Sequence, residues 1–149
     1  MEHFLPCLYA FLACGAFCLI FEVKKPLFIL LCSLNGAVAW AVYLLLDGIG
    51  HEVARYLIAT IVAAVLAEGF ARIMKAPATI FLIIGILPLV PGSGLYNALD
   101  CLISGDSVMF AQIGLETASY AGAIAVGVSM VSSIARILFR KHLPKLPHA

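Results

Sequence analysis

Apolar positions fall into five long runs separated by short polar joins. The runs cover about Phe4–Phe21, Pro26–Leu46, Val53–Met74, Ala78–Ile103 and Ala118–Leu138. The joins are Glu22-Val23-Lys24-Lys25, Asp47–Glu52, Lys75–Pro77 and Ser104–Thr117. A membrane-crossing helix needs about 20 apolar residues, so each run is long enough to be one span. The pattern predicts an all-α integral membrane protein, a bundle of five transmembrane helices. Residues 1–142 form one transmembrane domain, and 143–149, with two prolines and no pattern, form a disordered C-terminal tail. The fourth run is interrupted by Pro88-Leu89-Val90-Pro91-Gly92-Ser93-Gly94-Leu95-Tyr96. A proline inside a helix removes a donor and clashes with the preceding turn, at a cost of about 3 kcal/mol. Two of them outweigh the helix propensity of the neighbouring leucines, so the fourth helix is expected to be broken at Pro88–Gly94. Irregular backbone at membrane depth survives only inside protein or beside a wet cavity, and transporters often bind substrate at such breaks.

Composition supports the membrane reading. Hydrophobic residues make up 64% of the chain, charged residues 11%, and the mean hydropathy is +1.11. A soluble domain of 149 residues could not hide that much apolar surface. The net charge of +1 says little, but the distribution of charge says more. With five spans, Lys24, Lys25, Arg72, Lys75, Arg136, Arg140, Lys141 and Lys145 share one side, and only Arg55 takes the other. The positive-inside rule then puts the N-terminus outside and the C-terminus in the cytoplasm. The acids Glu2, Asp47, Glu52, Asp100, Asp106 and Glu116 all fall outside. The first run has no basic flank, only Glu2 and His3, so it does not read as a signal peptide. Phe11-Leu12-Ala13-Cys14 resembles a lipoprotein cleavage site only faintly, and the missing basic flank argues against it.

Little in the chain points to catalysis. Cys7, Cys14 and Cys18 share a face of the first run, and Cys32 and Cys101 lie in others. There is no C-x-x-C pair, so packing explains them better than metal or disulfide chemistry. His51-Glu52 lacks the second histidine of a zinc-protease helix and reads as a solvated loop pair. Gly92-Ser93-Gly94 lacks the spacing of a nucleophile elbow. The chain therefore reads as a non-enzyme with no cofactor, no metal and no nucleic-acid partner.

Three features could serve transport. Glu68 lies inside the third run, four residues before Arg72. Charges in a span are costly and mark proton relays, but the spacing equally allows a Glu–Arg pair near the interface. Asn35 sits near the middle of the second run and either bonds a neighbouring helix or lines a polar cavity. Small residues, Ala59, Ala63 and Ala67 in the third run and Gly122 and Gly127 in the last, predict close helix contacts. Trp40 and Tyr43 are placed at the outside interface as aromatic anchors.

The broken run is the candidate substrate site. Pro88 lies about 15 Å of helix from Ala78, near the middle of a hydrocarbon core about 30 Å thick. Pro88 cannot donate to the carbonyl of Ile84, nor Pro91 to that of Leu87, which leaves both carbonyls open to a cation, water or ammonium group. Ser93 is the expected N-cap of a second half-helix running toward Asp100. That helix start presents free N–H groups and a positive dipole end, which suit a carboxylate. Gly92 and Gly94 let a ligand reach the backbone. Tyr96 and Asn97 can add side-chain hydrogen bonds. The competing reading is a proline kink that serves packing alone.

The stretch Ile86-Leu87-Pro88-Leu89-Val90-Pro91-Gly92-Ser93-Gly94-Leu95-Tyr96 resembles the proline-glycine signature of the threonine/serine exporter family. Gly15-Ala16-Phe17 leading into Val23-Lys24-Lys25-Pro26, then Gly36 and Lys75-Ala76-Pro77, fit the same resemblance. The chain is similar to the small membrane subunit of that family, equivalent to the C-terminal half of the fused exporters. The resemblance implies proton-driven export of threonine and serine, or of a small dicarboxylate such as succinate, across a bacterial cytoplasmic membrane. It also implies a larger membrane subunit as partner, with a homo-oligomer as the alternative. A non-transporting scaffold or assembly subunit is the contrasting functional class.

Overall fold

The computed structural model describes residues 4–48 and 50–139. Among them are six α-helices and one 3-10 turn: α1 (Phe4–Ile20), α2 (Pro26–Leu45), α3 (Glu52–Met74), α4 (Ala78–Ile86), the turn Leu87–Leu89, α5 (Gly92–Ile103) and α6 (Ser107–Phe139). Glu2, His3, Arg140, Lys141, Lys145 and the tail expected at 143–149 lie outside the described residues. Three helices, α2, α3 and α6, are long and apolar enough to cross a membrane. The pair formed by Ala78–Leu89 and Gly92–Ile103, bent by 53°, makes up to four if it counts as one span. Helix α1 is apolar but has only 17 residues.

Local chemistry sets the helix ends. After α1, Glu22 turns left-handed (φ 54°), and the Val23 N–H reaches back to the Cys18 carbonyl at 2.9 Å. Pro26 then opens α2, where its missing N–H has no cost. Lys75 ends α3 in the left-handed region (φ 49°), with the Ala76 N–H on the Ala71 carbonyl at 2.9 Å. Pro77 blocks any continuation of that helix.

The three long, uninterrupted runs at the start of the chain become helices within a residue or so of their expected limits. The last one does not. Residues expected to form the join Ser104–Thr117 are helical from Ser107 onward. Gly105, at φ 82°, turns the chain, and the Asp106 carboxylate accepts the Met109 N–H at 3.0 Å, which starts α6 early. The polar residues Gln112 and Glu116 lower the hydropathy there, but α5 packs alongside and stabilises the helix.

Helices α1 to α4 and the later part of α6 form the body of the bundle. One core cluster lies toward the basic end and includes Cys14, Cys18, Phe28, Cys32, Ala67 and Phe81. The other lies toward the acidic end and includes Ala39, Tyr43, Tyr56, Ala59, Ala63 and Leu89. The alanine stripe of α3 is fully buried, and it lets neighbouring helices approach closely. Helix α6 runs parallel to α3: Tyr120 stands beside Tyr56, and Gly127 lies against Thr60. With 33 residues, α6 is about 50 Å long, well beyond a hydrocarbon core of about 30 Å. Its leading part, paired antiparallel with α5, therefore extends past the acidic end of α2 and α3.

Candidate functional site

The interruption in the fourth run is built as a short sequence of conformations. Helix α4 ends at Ile86, Leu87–Leu89 tightens into a 3-10 turn, and Pro91 precedes α5 in a non-helical conformation. The two carbonyls expected to be left open are both occupied. The Ile84 carbonyl accepts the Leu87 N–H and the Cys14 thiol at 3.3 Å. The Leu87 carbonyl accepts the Val90 N–H at 3.2 Å. The tighter turn supplies donors that the prolines lack. Ser93 is not the cap either. Pro91 holds that position with no side-chain bond, and Ser93 falls in the first turn of α5.

The break also spans more depth than expected. Pro88 lies against Gly36, halfway along α2. Pro91 and Gly94 lie abreast of Glu52 and Tyr56, in the first two turns of α3. The start of α5 is thus near the acidic end of the bundle rather than at its middle.

A polar cleft opens there between α3, α5 and α6. Its volume is about 270 Å³, and it is lined by Glu52 and Tyr56, by Pro91, Ser93, Gly94 and Asn97, and by Ile113, Glu116, Thr117 and Tyr120. Four residues expected at the site, Pro91, Ser93, Gly94 and Asn97, line it together. The remaining four do not. Pro88 lines an apolar cavity of about 430 Å³ with Tyr9, Cys14, Phe17 and Trp40. Tyr96 is 71% exposed and is not part of the cleft wall. Gly92 has open space around it. Asn35 is fully buried at the α2–α4 contact, where its Nδ2 donates to the Phe81 carbonyl at 3.1 Å. Gly85 leaves the space that Asn35 occupies, and the Asn35 Oδ1 has no partner.

Gly94 serves packing as well as access. A side chain there would run into the Thr117 hydroxyl, which donates to the Ile113 carbonyl at 2.7 Å. Helix α5 can lie this close to α6 because Gly94 has no side chain.

The acidic wall is the part that sequence reasoning missed. Glu52 is exposed, as expected, but it is not a loop residue; it sits in the first turn of α3. Its two oxygens accept the Tyr43 hydroxyl at 2.9 Å and the Tyr120 hydroxyl at 2.8 Å. One carboxylate thereby ties α2, α3 and α6 together. The rings continue this link: Trp40 stacks on Tyr43 at 5.2 Å, Tyr43 meets Tyr56 at 4.8 Å, and Tyr56 stacks on Tyr120 at 4.8 Å. Tyr43 is therefore a buried core residue and not an interfacial anchor. The Arg55 guanidinium lies 4.3 Å over the Tyr43 ring, donates to the Tyr43 carbonyl and pairs with Asp47 at 3.0 Å. Tyr43, Tyr56 and Tyr120 are widely scattered in the sequence, so no local spacing signalled that they would gather around Glu52.

Glu68 lies apart from the cleft, four turns further along α3. It pairs with Arg72 at 2.9 Å, and Arg72 also donates to the Glu68 carbonyl. The helical pair allowed by the spacing is formed.

Chemically, the cleft opposes two kinds of wall. The start of α5 offers first-turn N–H groups, which have no acceptors within their own helix. The facing wall offers two carboxylates and two phenol rings. Residues 6–134 match the family model described as Threonine/Serine exporter, ThrE. No curated protein and no solved structure matches the chain. The match covers most of the sequence, including every residue that lines the cleft, and the chain belongs to the threonine/serine exporter family.

Proposed function

We propose that the chain is one membrane subunit of a secondary exporter of small carboxylate-bearing metabolites in a bacterial cytoplasmic membrane. The observation that carries this reading is the polar cleft at the start of α5, in a family of threonine/serine exporters. The substrate carboxylate meets the N–H groups of Ser93 and Gly94, and Asn97 orients the rest of the molecule. Threonine and serine are the first substrates to test, and succinate is the second.

In the bilayer the chain crosses five times, N-terminus outside and C-terminus inside. Helix α1, at 17 residues, is at the short end of the spanning range of about 17–25. Helices α4 and α5 act together as one broken span. Lys24, Lys25, Arg72 and Lys75 lie in or beside the joins at one end of the helices, and Arg55 is matched by Asp47 at the other, which supports this orientation by the positive-inside rule. Protons drive export, and Glu68 is the proposed coupling residue, with Arg72 holding its resting state.

A single chain of five spans has little room to enclose a cavity, so a second body is needed to close the cleft. A larger membrane subunit of the same family fills that role, or a second copy of this chain. Secondary transporters commonly place the site between two such repeats.

A second reading is a non-transporting scaffold. The packing of Pro88 against Gly36 and the filled carbonyls of Ile84 and Leu87 favour it, because both make the break a stable packing device. Export decides between the two. Cells expressing the chain with the larger subunit should release threonine or serine, and Ser93→Trp, which fills the cleft from an exposed position, should stop the release. Undiminished export by Ser93→Trp would remove the cleft from the pathway, and absence of export would favour the scaffold.

A further inference from the structure

We infer that the acidic wall of the cleft is an ammonium subsite, in which Glu116 and Glu52, set beside the rings of Tyr56 and Tyr120, read the amino group of the substrate. This inference rests on the proposed transport function and adds to it the residues that discriminate between amino acids and dicarboxylates.

The first support is charge. The cleft is lined by two carboxylates and no basic side chain. Arg55, the base nearest in sequence to Glu52, is taken up by Asp47 at 3.0 Å and by the Tyr43 carbonyl. The negative charge of the wall therefore remains for a ligand. A substrate with a second carboxylate would place it against Glu116 and Glu52 and be repelled. A substrate with an ammonium group would be attracted, while its carboxylate faces the positive end of α5.

The second support is the aromatic surface. Tyr56 and Tyr120 stack at 4.8 Å and line the cleft together with the two acids. Ring faces attract cations, and the effect grows as water is excluded. The same ladder already holds a cation one ring further on, where the Arg55 guanidinium lies 4.3 Å over Tyr43.

The third support is rigidity. Tyr43 and Tyr120, from different helices, fix both oxygens of Glu52. An ammonium group thus meets a carboxylate that is already oriented, and less freedom is lost on binding.

The test uses everted membrane vesicles from cells that make the full chain with the larger subunit. Uptake is measured for L-threonine, for 3-hydroxybutyrate, which has the same skeleton without the amino group, and for succinate. Wild type should take up threonine with a much lower KM than 3-hydroxybutyrate, and should take up succinate poorly. Losing a hydrogen bond to a charged group costs about 1.5–3 kcal/mol, so Glu116→Gln should raise KM for threonine roughly 10- to 100-fold. It should leave KM for 3-hydroxybutyrate unchanged, so that the preference for the amino acid largely disappears. Glu116→Asp should restore most of it. Asp100→Asn, an exposed carboxylate outside the cleft, should change neither value. Unchanged threonine KM and preference in Glu116→Gln would overturn the subsite. So would wild-type vesicles that transport succinate or 3-hydroxybutyrate as well as threonine, and this comparison decides the matter even if Glu116→Gln fails to insert. Vesicles that transport none of the three would overturn the transport function itself, and the subsite with it.

Discussion

Gly92 and Gly94 sit two residues apart in the first turn of α5, and the same substitution at each should have opposite effects. A methyl group at Gly92 meets nothing within 4 Å. Gly92→Ala then acts mainly by restricting the unfolded chain and should stabilise by about 0.4–1 kcal/mol. A methyl group at Gly94 runs into the Thr117 hydroxyl and lies 3.3 Å from both Cβ and Cγ2 of that residue. Thr117 cannot easily turn away, because it is 8% exposed and its hydroxyl donates to the Ile113 carbonyl. Overpacking of this kind costs about 1–3 kcal/mol, offset by at most about 1 kcal/mol of helix propensity. Gly94→Ala should therefore be net destabilising and separate α5 from α6. Thermal unfolding of the purified protein in nanodiscs measures both effects. Thr117→Ala removes the colliding hydroxyl, so combining it with Gly94→Ala should cost less than the sum of the two single changes, by about 1 kcal/mol or more. Equal shifts for Gly92→Ala and Gly94→Ala, or strict additivity with Thr117→Ala, would refute the close α5–α6 contact.

Other expectations concern the tyrosine–carboxylate link, the charged pair and the orientation. Glu52→Gln weakens two charge-assisted bonds, each worth about 1.5–3 kcal/mol, and should lower the Tm more than either Tyr43→Phe or Tyr120→Phe; a smaller effect would mean that the carboxylate does not join the helices. Glu68→Gln should reduce gradient-driven export in a protein that still folds and inserts, whereas equal losses of stability in Glu68→Gln and Arg72→Gln would mark the pair as structural. A membrane-impermeant maleimide applied to intact cells should label the half-buried Cys101 near the end of α5, but label Cys14, Cys18 and Cys32 only after denaturation. Protection of Cys101 in intact cells with labelling in everted vesicles would reverse the proposed orientation. A cytoplasm-active reporter fused after His148 gives an independent check and should be active.

What could be read from the sequence is what depends on neighbours along the chain. Apolar runs of about 20 residues can satisfy their backbone in lipid only as helices, so α1, α2 and α3 were legible almost to the residue. Pro88 and Pro91 forbid regular helical bonding by their own covalent structure, so an interruption was legible as well. Where its backbone groups find partners was not, because the Cys14 thiol that reaches the Ile84 carbonyl comes from another helix, 70 residues away. The early start of α6 was hidden because Gln112 and Glu116 look like loop residues until α5 packs beside them. The role of Glu52 was hidden for the same reason: its partners Tyr43 and Tyr120 lie 9 and 68 residues away. The sequence by itself thus determined the limits of α1, α2 and α3, where the fourth run is interrupted and which family carries that signature. Only the tertiary structure decided that Pro91, Ser93, Gly94 and Asn97 share a cleft with Glu52 and Glu116 while Pro88 and Asn35 do not. Backbone propensity acts within a turn or two, whereas a cleft exists only where side chains from distant helices fail to fill the space between them.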